Sequence, residues 1–244
     1  MYDRTNYDAD REEIQMKYYC NPVNVNYRYQ FNDDQRSKEI KVAREAADPS
    51  MIYFKGKYYI FASMTLGVWI SEDLAVWENH RLPANLPLYD YAPDVRVIGD
   101  FVYFCASKRG ENCSFYRTKD ILKGPYEEIP GTFDFWDPNL FLDEDGRLYF
   151  YWGCSNMTPV WGVELDPGTM WPVGERIALI EGDAFAKGYE RAGEDHTLVP
   201  RSEEEIEACY QGFLKTQNMS EADFPEEYKP LVKGMFSRKP YIEG

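Results

Sequence analysis

Asp48, Asp94 and Asp137 each stand at the head of an apolar segment, spaced 46 and then 43 residues apart. Carboxylates brought together from distant parts of a chain do proton-transfer chemistry. A protonated one can donate to a leaving oxygen, an ionised one can activate water or attack carbon, and a third can shift its neighbour's pKa through like charge. Cleavage of a glycosidic bond needs such an acid and such a base. The plainer reading of Asp-Pro, which opens two of the three segments, is a turn in which Asp caps the backbone and Pro fixes φ. Recurrence in one register weighs against that for Asp48 and Asp137, while Asp94 divides evenly between the two readings. Asp134 competes with Asp137 but falls ahead of the strand start.

The elements that must position these acids form a repeat. Asp48-Pro-Ser-Met-Ile-Tyr-Phe-Lys-Gly-Lys-Tyr-Tyr-Ile-Phe-Ala-Ser63 aligns with Pro93-Asp-Val-Arg-Val-Ile-Gly-Asp-Phe-Val-Tyr-Phe-Cys-Ala-Ser107 and with Asp137-Pro-Asn-Leu-Phe-Leu-Asp-Glu-Asp-Gly-Arg-Leu-Tyr-Phe-Tyr-Trp-Gly153. Each unit is an apolar strand, a turn at Gly56, Gly99 or Gly146, and a returning aromatic strand. Asp145-Gly146 is the clearest hairpin signal, and that tight turn explains Asp143-Glu144-Asp145-Gly146 better than a calcium loop does. A second pair of strands follows each hairpin. Four strands in roughly 45 residues describe a propeller blade, whose inner strands line a central funnel where acids from successive blades meet. The expected fold is therefore all-β, with blades over about 48–90, 92–135 and 137–180. Trp69 and Trp77 are expected to pack between blades.

The period fails over 181–238. Ser202-Glu-Glu-Glu205 is a capping-box pattern followed by Ile206, Cys209, Tyr210 and Phe213 at helical spacing. Pro225 opens a second short helix expected to end near Gly234. We expect a helical insertion there, with residues 239–244 beginning a fourth blade of a single catalytic domain over 1–244. Three blades and six further residues do not close a ring, so the expectation is a propeller completed by missing C-terminal blades or by an oligomeric partner.

Composition narrows the function classes. There are 27 Lys and Arg against 42 Asp and Glu, a net charge of −15, and such a surface repels phosphate backbones, so no nucleic-acid partner is expected. An aromatic content of 16% is too high for a disordered acidic chain. No apolar run is long enough to span a membrane and no export signal opens the chain, so the expectation is a cytoplasmic protein with no membrane partner. Five scattered cysteines without ligand spacing read as reduced structural thiols. The sequons at Asn112, Asn156 and Asn218 then carry no weight.

Arg44-Glu-Ala-Ala-Asp48-Pro-Ser, Tyr91-Ala-Pro-Asp94-Val, Phe135-Trp-Asp137-Pro-Asn-Leu-Phe-Leu-Asp-Glu-Asp-Gly and Tyr241-Ile-Glu243-Gly together resemble the blade motifs of glycoside hydrolase family 43, the five-bladed propeller xylosidases, arabinofuranosidases and arabinanases. The likeness covers about residues 20–180 and the last six. It implies that Asp48 is the general base of an inverting, single-displacement hydrolysis. It implies that Asp137 orients the acid and tunes its pKa, and that Glu243 is the general acid. The implied substrates are xylose- or arabinose-containing oligosaccharides cleaved from their ends. Tyr91 stands where the family usually has Trp. Neither His80 nor His196 matches the family's central histidine, so no metal and no cofactor are expected.

Sugars offer C–H faces to aromatic rings, so Tyr91, Phe135 and Trp136 are candidate platforms, although any one of 40 aromatics is more often core. Arg44, Arg96 and Asp94 are candidates for contacts to substrate hydroxyls, with structural ion pairs as the alternative for the arginines. Two competing functions share the architecture. A retaining fructan-type hydrolase would carry Arg-Asp-Pro at the middle acid, where this chain has Trp136 before Asp137. A non-catalytic sugar-binding or interaction propeller would need none of the acids.

Overall fold

The computed structural model describes residue 25 and residues 30–34, 39–43 and 46–243, with short gaps at 64–66, 84–85, 87–90, 108–111 and 132. Arg44 lies outside these residues, and of Tyr91 only the backbone is described. A hairpin that the repeat analysis did not anticipate comes first, β1 (Gln30–Asp34) against β2 (Glu39–Ala43). Three four-stranded antiparallel sheets follow. The first runs β3 (Ser50–Phe54), β4 (Lys57–Phe61), β5 (Gly67–Ser71) and β6 (Glu78–Arg81). The second runs β7 (Tyr91–Ile98), β8 (Phe101–Ser107), β9 (Phe115–Thr118) and β10 (Glu127–Ile129). Gly56, Gly99 and Gly146 close the three leading hairpins with φ of +83°, +59° and +86°, a conformation that costs any other residue more.

The third sheet departs from the simple meander. β11 (Asn139–Leu142), β12 (Leu148–Trp152), β14 (Val160–Leu165) and β15 (Pro172–Ile180) form it. Between β12 and β14 the two-residue strand β13 (Cys154–Ser155) leaves the sheet and pairs with β16 (Ile242–Glu243) near the other end of the chain. The first strands of the sheets adjoin, β3 against β7 and β7 against β11. These are three blades of a β-propeller, the all-β class read from the repeat.

Alternation along the strands explains the stacking. On β8, Val102 and Phe104 join Ile52, Phe61, Val68 and Val95 between the first two sheets. Their neighbours Tyr103 and Cys105 face the other way, among Phe115, Phe135, Leu140, Leu148 and Phe150 between the second and third. The middle sheet is thus buried on both faces, which is why β8 reads as an unbroken apolar run. Trp69 and Trp77 do not lie between the first and second of these blades. They sit with Ala62, Tyr58, Ile60 and Val25 on the opposite face of the first sheet, because Trp69 alternates with Val68 and Ile70, which face the second.

The aperiodic segment is helical. Ser202 caps α1 (Glu203–Thr216) with a full capping box: its hydroxyl accepts from the Glu205 N–H at 3.3 Å, and the Glu205 carboxylate accepts from the Ser202 N–H at 2.8 Å. The helix buries Ile206, Tyr210 and Leu214; Cys209 lies half-buried, and Phe213 meets Phe224 and Phe236 instead. α2 (Lys229–Ser237) runs past Gly234 and ends at Arg238 in a left-handed conformation. Gly234 is there for close approach rather than termination: a Cβ would lie 2.6 Å from Asn156 Oδ1. None of the described helices is long and apolar enough to cross a membrane, and the described cysteines are free.

The blades are joined by one repeated set of hydrogen bonds, which also corrects the register of the acids. The residues with left-handed φ before the leading prolines are Asp48 (+50°), Ala92 (+47°) and Asp137 (+47°). Ala92, not Asp94, is therefore the counterpart of Asp48 and Asp137. Asp94 sits two residues on, where the first blade has Ser50. There the Ser50 hydroxyl accepts from the Val95 N–H of the second blade at 3.1 Å, and the Asp94 carboxylate accepts from the Leu140 N–H of the third at 2.6 Å. Asp94 also accepts from the Ser50 hydroxyl at 3.0 Å and pairs with Arg96 at 3.5 Å, and it is 5% exposed. Its carboxylate is spent on protein donors that bind three blades together. Removing it leaves the Leu140 N–H and Arg96 without that acceptor, so Asp94→Ala is expected to lower the unfolding free energy by about 2–4 kcal/mol in urea denaturation. A change below ~0.5 kcal/mol, as at an ordinary surface site, would contradict the assignment.

Candidate active site

Asp48 and Asp137 hold the same place in the first and third blades, each in a φ region that non-glycine residues rarely occupy. Asp tolerates it better than most residues, but Ala92 has no such preference and adopts it too. The conformation is therefore imposed by the ties around it. Ser63, fully buried at the end of β4's return, carries three of them. Its N–H donates to the Ala47 carbonyl at 2.8 Å, its hydroxyl donates to Asp48 Oδ2 at 2.8 Å, and the same oxygen accepts from the Ala92 N–H at 2.7 Å. Ser107 repeats the last bond one blade on, accepting from the Asp137 N–H at 3.0 Å. Asp48 is exposed and Asp137 half-buried.

Glu243 reaches Asp137 by a different route. Cys154 pairs with Glu243 and Ser155 with Ile242 in the short β13–β16 ladder, so Cys154 and Glu243 project from one face. Asn156 anchors the incoming segment: its side-chain amide donates to the Gly234 carbonyl at 2.7 Å, and to the Ser237 hydroxyl and the Lys239 carbonyl at 3.3 Å each. Cys154 Sγ lies 3.9 Å from Glu243 Oε1. Ligand atoms of Asp137, Cys154 and Glu243 all fall within 4.8 Å of one another, and among the described residues this is the group that could hold a metal ion.

The electrostatics follow from this crowding. Burial raises the pKa of Asp137, a hydrogen bond from Cys154 lowers it, and the negative charges of Glu243 and Asp48 raise it again. Burial first, then Asp137 and Glu243, push the Cys154 thiol up to about 12, so it is a protonated donor at neutral pH. Asp137 thus feels the negative charge of both Glu243 and Asp48.

The other candidates fare differently. Phe135 is 1% exposed, packed edge-on to Phe150 and against Phe115 in the core, and has no face to offer a sugar. Asp94 is engaged as described above. Trp136, beside Asp137, is half-buried, with its carbonyl accepting from the Gly153 N–H at 2.8 Å. Asp134 is apart, taking the Cys113 thiol at 3.9 Å. Ser63, Ser107 and Cys154 were missed. The two serines had a signal, since Ala62-Ser63 and Ala106-Ser107 end the aligned segments alike. Cys154 had none, because β13 lies outside the four-strand period.

A carboxyl whose pKa is raised on folding binds its proton more tightly in the native than in the unfolded state. Its ionisation therefore costs stability as pH rises from the unfolded value through the folded one, and the cost is absent below both. Asp137→Asn is accordingly expected to raise the melting temperature by about 1–4 °C at pH 7 and to leave it unchanged near pH 3. Calorimetry at the two pH values checks this, and a lower melting temperature at pH 7 would contradict it.

A family model described as glycosyl hydrolases family 43 matches residues 41–193, which include Asp48, Asp137 and Cys154. No curated protein matches the chain. Solved structures similar to it include a bifunctional GH43-CE protein of Bacteroides eggerthii (23% identity, 58% of this chain and 21% of that one, TM-score 0.48). An exo-1,5-alpha-L-arabinanase from a bovine ruminal metagenomic library is 22% identical over 55% of this chain and 54% of its own, with a TM-score of 0.46. Native Bacillus subtilis arabinanase Arb43A is 19% identical over 55% and 57%, with a TM-score of 0.45. The chain thus spans from a fifth to somewhat over half of the length of these structures. With the family model covering well over half of its residues, this chain belongs to glycosyl hydrolases family 43.

Proposed function

We infer that the protein is an inverting glycoside hydrolase that removes xylose or arabinose residues from the ends of oligosaccharides. The observation that supports this most is the electrostatic meeting of three carboxyls from three separate parts of the chain, with Asp137 sensing both Glu243 and Asp48. In this reading Asp48 takes a proton from a water molecule as that water bonds to the anomeric carbon. The bond from that carbon to the leaving oxygen breaks, and Glu243 gives the oxygen its proton. The Ser63 hydroxyl, which donates to one Asp48 oxygen, fixes the carboxylate's direction and leaves the other oxygen for water. Asp137 stays ionised and holds the acid in place. Room for the attacking water requires the Asp48 and Glu243 carboxyls to stand roughly 6.5–9.5 Å apart.

Action at a chain end suits the helical segment, whose α2 is tied through Asn156 to the end of the short ladder that carries Glu243. The choice of a pentose rests on the resemblance of the blade motifs.

Hydrolysis of nitrophenyl β-xyloside and nitrophenyl α-L-arabinofuranoside tests the reading. Asp48→Asn is expected to lower kcat by about a hundredfold or more on either substrate. Glu243→Gln should lower kcat by a similar factor on xylobiose but much less on the nitrophenyl glycoside, since nitrophenolate departs without a proton. Absence of turnover by the unmodified protein, or full activity in both variants, would favour a binding propeller instead.

A further inference from the structure

At the end of the blades away from the acids, two lysines without carboxylate partners converge on one groove. Asp48 leads into β3, which ends at the Lys55-Gly56 turn, and the rise of a strand puts that turn roughly 20 Å from the acid. Beside it stand the Gly99-Asp100 turn of β7 and β8 and the connection from β9 to β10. An open cavity of about 490 Å³ lies among them, lined by the side chains of Tyr53, Lys55, Asp100 and Lys119. The Lys55 ammonium donates to the Lys119 carbonyl at 2.7 Å and lies 4.9 Å from the centre of the Phe54 ring, while the Lys119 ammonium lies 4.6 Å from that of Phe101. In this chain of net charge −15, Lys57, Lys187, Lys229 and Lys233 each pair with a carboxylate. Among the described residues no carboxylate pairs with Lys55 or Lys119. Lys55 is also held at φ +48° in a two-residue hairpin turn, where Asn, Asp or Gly fit at less cost, so a lysine stands there against the backbone's preference.

We propose that this groove binds the uronic acid units of a glycan, with the Lys55 and Lys119 ammonium groups taking the sugar carboxylate. Tyr53, 59% exposed and tilted against Tyr58 at 4.9 Å, offers a ring to the C–H face of the sugar. Asp100 is exposed and, when ionised, can only accept hydrogen bonds, so it repels a bare anion but takes hydrogen bonds from sugar hydroxyls. A ring that carries one carboxylate and several hydroxyls suits both the lysines and Asp100; phosphate or acetate suits the lysines alone. That the occupant is a glycan rests on the chain's membership of a glycosyl hydrolase family and not on which bond the acids cleave. Because the groove lies at the opposite end of β3 from Asp48, a glycan unit held there is held apart from the reacting bond.

The test is amide 15N NMR of the protein titrated with xylotriose bearing one glucuronic acid branch, and separately with plain xylotriose, sodium acetate and inorganic phosphate. The branched sugar is expected to shift the amides of Gly56, Gly99 and Lys119, with a midpoint about tenfold lower than plain xylotriose gives at the same amides. Added salt should weaken that binding. Lys119→Gln, which keeps the carbonyl that Lys55 holds, is expected to raise the midpoint about tenfold, and Tyr53→Ala about fivefold. Both side chains are exposed, so neither change disturbs the core. Equal midpoints for branched and plain xylotriose, an unchanged midpoint in Lys119→Gln, or shifts confined to the surroundings of Asp48 and Asp137 would overturn the proposal. So would acetate or phosphate binding as tightly as the branched sugar, because the groove would then be a general anion site. The titration needs no turnover, so inactivity on nitrophenyl glycosides would count against the assigned reaction and not against this groove.

Discussion

The site depends on a side chain of one blade capturing the backbone N–H of the next. Ser63 and Ser107 hold the N–H groups of Ala92 and Asp137, and Ser50 and Asp94 hold those of Val95 and Leu140. Each N–H belongs to the stretch where the chain enters a new blade in a left-handed conformation, before or just after a proline that can donate nothing itself. Without these acceptors the entering backbone would be strained and unsatisfied in a buried place. With them, the entry points are fixed against one another. Because the residues at two entry points are aspartates, fixing the backbone also fixes the carboxylates.

A second constraint is charge. Asp48, Asp137 and Glu243 are all acids, and their mutual repulsion raises the cost of ionising the half-buried one. Sites that perform acid and base chemistry at one pH separate the protonation states of their carboxyls in this way. The chain meets the cost with packing elsewhere: the middle sheet is covered on both faces, and a ring cluster of Phe115, Phe133, Phe135, Phe150 and Trp152 stands beside the Asp137 turn. Phe135 and Asp137 are two residues apart, yet one is core and the other faces the site. The segment carrying them is thereby clamped on its hydrophobic side.

Much of this was legible in the residues because strands, turns and their period leave local marks. The glycine hairpins, the four-strand units and the capping box at Ser202 all follow from short-range chemistry. Relations between blades were less legible. The acids look aligned at 48, 94 and 137, but the prolines at 49, 93 and 138 mark the true register, and Asp94 resembles a site acid only because a structural carboxylate and a functional one share a residue type. The β13–β16 ladder was invisible for another reason. Two residues carry no periodicity, and their partner lies 89 positions away. Gly234 misled as a helix terminator because the residue that requires its bare backbone, Asn156, belongs to another part of the chain.

The proposed roles of Asp48 as base and Glu243 as acid, with the attacking water between them, are tested most directly by the stereochemistry of the first product. Proton NMR of nitrophenyl β-xyloside hydrolysis, recorded before mutarotation, should show α-xylose as the first anomer formed, because water attacks the face opposite the leaving group. Accumulation of β-xylose first would mean two displacements, with Asp48 bonding to the sugar, and would contradict the roles assigned to these three acids.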